Sequence, residues 1–223
     1  MPKTIMMEVC PGGECDKNPT GVEVTALDDF GRRVQRLLGG LTRVPQTQDP
    51  WVQMVIGEQP SPSAREGLHV LAGPLAQTVP DAICLVGTDA WLAAALAAIV
   101  KLTVEAGKIC IDLSDLRTIF RGVGPVRGVC VTGSTLHAAA EGAVWDAGPG
   151  LGRVRSVLVH IDAPLSTNLH EIFLVAAMVQ GEAHLEANVV FNFYANKVGC
   201  DDEELVRITL LIAGGTSDHQ GLL

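Results

Sequence analysis

Between Ala90 and Val100 the chain reads AWLAAALAAIV, apolar on every side of a helical projection. A helix of that kind has no face to give to water, so it must lie inside the molecule and the other elements must be arranged around it. Thr88 or Asp89 is a natural N-cap for it. Beyond Lys101 the pattern breaks at Gly107, passes Lys108, Ile109, Cys110 and Ile111, and restarts at Asp112. Asp115, three residues later, makes a capping-box-like pair with Asp112 at the head of a second helix. Ala90 to Phe120 is therefore a buried rod, a tight loop carrying two carboxylates, and another helix.

The chain has 223 residues, 48% of them apolar, enough for one large domain or two small ones with a real core. Its 16 basic and 25 acidic residues give a net charge of -9, with no block of like charges. A generic surface for a phosphate backbone is excluded on that balance, and nucleic acid is not an expected partner. The first residues lack the basic-then-apolar order of a secretory signal, and Ala90 to Val100 is too short to span a bilayer before Lys101. The expectation is a cytoplasmic protein without membrane insertion. Of six cysteines, Cys84, Cys110, Cys130 and Cys200 are scattered singly, as suits reduced thiols. Cys10 and Cys15 flank Pro11, Gly12 and Gly13. With no second cysteine or histidine pair at ligand spacing, turn residues explain them better than half a zinc site.

Along the chain, Thr4 to Val9 reads as a short strand, Asp16 to Thr20 as a turn and Ala26 to Leu38 as an amphipathic helix stopped by Gly39 and Gly40. Leu41 to Pro50 reads as a loop and Trp51 to Ile56 as a strand. Ser63 is placed to cap a helix reaching Leu75, interrupted at Gly73 and Pro74. Asp81 to Gly87 is a short apolar strand leading into the rod. Further on, Pro125 to Gly133 is a strand, Ser134 caps a helix from Thr135 to Asp146, and Gly148 to Gly152 is a loop. Val154 to Ile161 is a strand, and Thr167 or Asn168 begins a helix through Val179. Asn188 to Ala195 and Leu205 to Ala213 are the last two strands. Such alternation implies helices packed on a mixed sheet. Histidines 69, 137, 160, 170, 184 and 219 show no metal-ligand spacing, Ser134 and Thr132 have no base nearby, and Trp51, Trp91 and Trp145 are too dispersed for base stacking, so core or edge packing is expected of them.

Two features together resemble the FtsZ/tubulin family: the order strand, buried helix, Gly-x-x-x-x-Asp-x-x-Asp loop and helix, and the later runs VLVHIDAPLSTNLHEI and ANVVFNFYANKVGCDDEELVRITLLIAGG. The resemblance covers about Asp81 to Gly215. It implies an α/β fold whose mixed sheet is like the FtsZ C-terminal domain, packed with helices, plus the central helix and a short degenerate N-terminal α/β portion. The implied divisions are 1–87, a truncated N-terminal part; 88–121, the central helix, synergy loop and following helix; and 122–223, the C-terminal domain.

In that family nucleotide is held by a longer N-terminal domain with a GGGTGTG run, because only glycine lets backbone amides come that close to phosphates. Here Gly12-Gly13, Gly39-Gly40 and Gly214-Gly215 are isolated pairs, and Gly122 to Gly124 leads into a strand. The expectation is that GTP binding is lost and no cofactor is bound. GTP with magnesium enters only if residues 1 to 80 hide an unrecognised phosphate cradle. By resemblance, Cys110 stands where the family has an asparagine in the synergy loop, and Asp112 and Asp115 stand at its two acids, which act in trans on a neighbour's nucleotide. A thiol is a weak hydrogen-bonding substitute for an amide, so hydrolysis assisted by this loop is expected to be impaired. Asp112 and Asp115 as a simple helix cap is the equal alternative. The function implied is a cytoskeletal assembly protein acting as an accessory, capping or scaffold subunit, with itself or an FtsZ-type GTPase as partner. A self-associating scaffold unrelated to division and a residual GTPase are the other two readings.

Overall fold

A computed structural model of the chain describes residues 21–41, 50–60, 67–74, 79–104, 111, 113–120, 123–196 and 205–214. Strands β1 (Gly21–Ala26), β2 (Pro50–Ile56), β3 (Leu68–Gly73) and β4 (Ala82–Val86) pair in parallel, side by side. Helix α1 (Asp29–Leu41) joins the first two and lays Phe30, Val34 and Leu38 against them at the spacing of a helical stripe. The sheet continues through β5 (Val126–Gly133), β8 (Val206–Ala213), β6 (Ser156–Pro164) and β7 (Asn188–Asn196), in the order β1-β2-β3-β4-β5-β8-β6-β7. β8 runs antiparallel to both its neighbours, and β7 is parallel to β6. The parallel and mixed halves meet at a single residue pair, Leu85 opposite Val126.

Helix α2 (Asp89–Val104) is the expected rod: every residue from Trp91 to Thr103 is buried. It packs with α1 on the parallel half and reaches Leu158, Leu211 and Ala213 of the mixed half, so one apolar core spans both. Thr88 caps it, its hydroxyl accepting from the Trp91 amide at 3.4 Å. A second core lies on the opposite face of the mixed half, beneath α4 (Leu136–Ala147) and α5 (Leu169–Glu182). Their small buried residues, Ala139, Ala140 and Ala143 of α4 and Ala176 of α5, let the helices sit close to the strands. Asn168 and Glu171 form a reciprocal capping box at the start of α5.

Several local expectations need correction. The segment assigned to a helix beginning at Ser63 contains β3, whose fully buried Val70, Leu71 and Ala72 sit in the middle of the sheet. An apolar run of that length reads equally as helix or buried strand, and its burial between two strands decides. β1 was not anticipated, and α1 starts three residues later than expected and continues through Gly39 and Gly40 to Leu41. Thr135, not Ser134, caps α4. Gly148–Arg153 is a turn of 3-10 helix rather than a loop. Trp145 is 84% exposed, against the expectation of packing, whereas Trp91 is buried. The strand expected at Thr4 to Val9, the cysteines Cys10 and Cys15, and the side chain of Trp51 lie outside the described residues.

Gly128 allows β5 to approach β8 closely, since a Cβ there would stand 1.7 Å from the Leu210 carbonyl oxygen. We expect Gly128→Ala to destabilise the fold by at least about 2 kcal/mol, the range of severe overpacking. Thermal unfolding checks it, and an unchanged melting temperature would refute so close an approach.

Candidate functional site

The chain enters α2 at the C-terminal ends of the parallel strands and, one helix later, reaches their N-terminal ends. There α3 (Leu113–Phe120) buries Leu116, Ile119 and Phe120 and turns Ser114, Asp115, Arg117 and Thr118 outward. Ile111, just before it, is also buried. A pocket of about 300 Å³ opens between α3 and the strand ends, lined by Gly67, Leu68, Asp81, Ala82, Ile83, Arg117 and Phe120. Asp81 turns into β4 through a left-handed conformation, φ 63°. Of the three residues expected in the loop site, Asp115 is placed on the exposed first turn of α3. Cys110 and Asp112 lie outside the described residues.

The opposite edge, at the C-terminal ends of the parallel strands, is where open α/β sheets receive ligands. Here Asp28 sits between β1 and α1. One carboxylate oxygen accepts from the Gly31 amide and the other from the Glu58 amide, each at 2.8 Å. These two backbone donors hold its carboxyl below the ordinary carboxylate range. Gly31 is needed at its place, because a Cβ would stand 2.4 Å from the Ile56 carbonyl oxygen. Arg33 donates to Asp89 at 2.8 Å and so ties the first turns of α1 and α2 together. Arg32 pairs with Asp29.

Sequence reasoning missed a third group of residues. Lys101, the one charge in the buried stretch of α2, donates to Asp162 of β6 at 2.5 Å and lies over the Tyr194 ring of β7, 4.5 Å from its centroid. Arg207 of β8 stands 3.7 Å from the same carboxylate oxygen. Beside them His160 Nδ1 is 3.1 Å from the Asn192 amide nitrogen. With the amide donating, the ring carries its proton on Nε2, which has no hydrogen-bond partner among the described residues. Asp162 Oδ1 has none among them either. The available signal was Lys101 itself: a lysine inside an apolar helix needs a buried counter-charge.

Comparison with known proteins places this architecture. No protein-family profile matches the chain, and no curated protein matches it. Among solved structures, an empty FtsZ dimer from M. jannaschii aligns over 87% of this chain and 54% of its own, with 18% identity and a TM-score of 0.50. A tryptophan-to-tyrosine FtsZ mutant from M. jannaschii aligns over 88% and 57%, with 18% identity and a TM-score of 0.51. TubZ of Bacillus thuringiensis serovar israelensis, in GDP-form protofilaments, aligns over 87% and 61% with 9% identity and a TM-score of 0.42. The fold is therefore FtsZ/tubulin-like, a mixed α/β sheet with helices. The chain spans little more than half the length of the FtsZ structures it matches. The likeness extends well beyond Asp81 to Gly215, so it takes in parallel strands ahead of the central helix.

Two outcomes test the buried polar group. Lys101→Met leaves the Asp162 charge in the core and should cost about 3 to 5 kcal/mol, whereas adding Asp162→Leu should recover part of the loss. Denaturant unfolding measures both, and equal stabilities for the single and double variants would refute the pairing. Burial pushes the His160 imidazole down to about 4, opposed by Asp162 and reinforced by Lys101 and Arg207. Between about pH 6.5 and 4 the unfolded chain then binds the proton that the folded chain refuses. Stability should therefore fall as pH drops through that window, by on the order of 3 kcal/mol, with no further loss from this group below it. A His160→Gln variant should show a shallower acid limb in urea midpoints, and an identical limb would refute the assignment.

Proposed function

We propose that this chain is an FtsZ/tubulin-like assembly protein that does not bind GTP. It serves as an accessory, capping or scaffold subunit that docks through its synergy-loop face, the one that carries α3. Its partner is a second copy or an FtsZ-type GTPase. Two facts support the docking face: the fold, and the position of α3 with Asp115 at the strand edge opposite the one where open α/β sheets take ligands. In that arrangement Asp115 contributes charge to a neighbouring subunit, and Cys110 and Asp112 precede it in sequence.

The observation that carries the loss of nucleotide is Asp28. Helix N-termini at the strand ends attract phosphate because their amides are unpaired and the helix dipole is positive there. At the head of α1 the Gly31 amide already serves the Asp28 carboxylate, and the Glu58 amide beyond β2 serves its other oxygen. A phosphate placed there would have to displace Asp28 and approach its negative charge, with Glu58 and Asp29 close by. Spacing reinforces the reading. Ala26, Asp28 and Gly31 fall at the intervals of a dinucleotide fingerprint, and the glycine that brings helix onto strand is kept where the phosphate-facing glycine is replaced by an acid.

Calorimetric titration with GTP and magnesium should give a flat trace, and micromolar binding would overturn the nucleotide-free reading in favour of a residual GTPase. In sedimentation of a polymerising FtsZ, stoichiometric addition of this chain should lower polymer mass or length. No change would sink the capping role. Asp115→Ala, at an exposed position, should leave stability within about 0.5 kcal/mol while weakening that effect. A variant that caps as well as the parent would remove Asp115 from the docking face.

A further inference from the structure

A helix that lies on a sheet normally keeps its apolar residues for the side facing the core and gives polar ones to water. α5 departs from that rule. Ile172, Val175, Ala176 and Val179 face the core. Leu174 and Met178 lie on the flank beside α4, Leu174 47% exposed and Met178 half-buried. α4 does the same from the other side: Ala139, Ala140 and Ala143 are buried beneath it, while Trp145 is 84% exposed. Ala138, Glu141, Gly142, Val144, Trp145 and Met178 line a groove of about 590 Å³ between the two helices. Tryptophan and methionine are enriched where proteins meet, the first as a rigid anchor of large apolar area and the second as an adaptable filler.

The charge around this groove is of one sign. α4 and α5 carry Glu141, Asp146, Glu171 and Glu182 and no lysine or arginine. Asp146 and Glu182 make no hydrogen bond or ion pair among the described residues, and Glu141 stands 3.3 Å from His137. Arg153, the first cation after α4 in sequence, is engaged in an interaction of its own. On α5, Glu171, Leu174, Met178 and Glu182 follow one another along a single stripe, at steps of three and four residues. The apolar pair therefore has a carboxylate at each end, about 16 Å apart along the axis at 1.5 Å per residue. Two copies of this face brought together would set acid against acid, and an anionic lipid surface would meet the same repulsion. An apolar segment with a cation at each end is complementary to it.

We infer that the groove between α4 and α5 docks a basic amphipathic helix of another protein. Its leucine-like side chains, at helical spacing, seat against Trp145, Leu174 and Met178, and its lysines or arginines, about three turns apart, reach Glu171 and Glu182. α4 and α5 cover the face of the mixed half turned away from α2 and α3. The site is thus separate from the α3 face and does not rest on the function proposed for it.

Two synthetic helical peptides about four turns long test this, with the same leucine stripe and either lysine or glutamate at every polar position. Titrated into the full chain, the lysine peptide should bind at micromolar concentration, shift tryptophan emission to the blue as Trp145 leaves water, and weaken as salt rises. The glutamate peptide should bind at least about tenfold more weakly. No binding of the lysine peptide, or equal binding of both, would overturn the inference. Trp145→Ser with Leu174→Ser changes two exposed positions, so circular dichroism should match the parent while affinity for the lysine peptide falls at least about tenfold. Unaltered affinity would place the peptide elsewhere on an acidic chain and refute the site. Glu171→Gln with Glu182→Gln keeps the Asn168 capping box, which accepts glutamine, and should bring the two peptides closer in affinity. A preference retained in full would refute the role of those carboxylates. Two other results would give the face to a different occupant and overturn the inference: a dimer of the chain alone that Trp145→Ser abolishes, or the same blue shift on phosphatidylserine vesicles. Asp115→Ala should bind the lysine peptide as the parent does, which separates failure here from failure of the α3 face.

Discussion

Complete burial of one helix is the constraint on which the rest of the structure depends. α2 has no side turned to water, so the chain must wrap it on every side, with α1 and the parallel strands on one flank and the mixed strands on the other. That demand explains why the core of the first half continues into the second although the backbone ladder between them shrinks to one residue pair. Lys101 lies on the same interface. Its charge is tolerable inside because Asp162, Arg207 and the Tyr194 ring are brought to it from three different strands.

The two ends of that helix have different chemical characters. At its start, Asp28 accepts from the Gly31 and Glu58 amides, and Arg33 links α1 to Asp89 of α2. Beyond its far end, α3 offers an exposed polar row and a modest pocket against the strand ends. The two ends of the rod thus carry different chemistry, a carboxylate held by two backbone amides at one and an exposed polar helix face at the other.

Much of the fold was legible in the sequence, because the strongest patterns were those dictated by burial. The all-apolar run of α2, the strand runs of β6 and β7, and a helix start at Thr167 or Asn168 each stood out locally. The errors came where local pattern is ambiguous. β3 holds an apolar run too short to choose between strand and helix, and β1, with Glu23 and Thr25 between its valines, has too weak a pattern to announce a strand. Gly39 and Gly40 signal a stop that α1 overruns by one residue, ending at Leu41 with both glycines exposed. At the candidate site the position of Asp115 was foreseen, but the partners of Lys101 were not. Asp162, Tyr194 and Arg207 lie 61 to 106 residues away in sequence, and pairing of that kind emerges only from topology.

The narrow junction at Leu85 and Val126 has a mechanical meaning. A sheet resists bending and twisting through its ladder of hydrogen bonds, and here that ladder almost vanishes midway across. Torsional stiffness between the halves therefore resides in side-chain packing along α2, with its ion pair acting as a pin. A load applied to one half is passed to the other along a lever about 24 Å long, the length of sixteen helical residues.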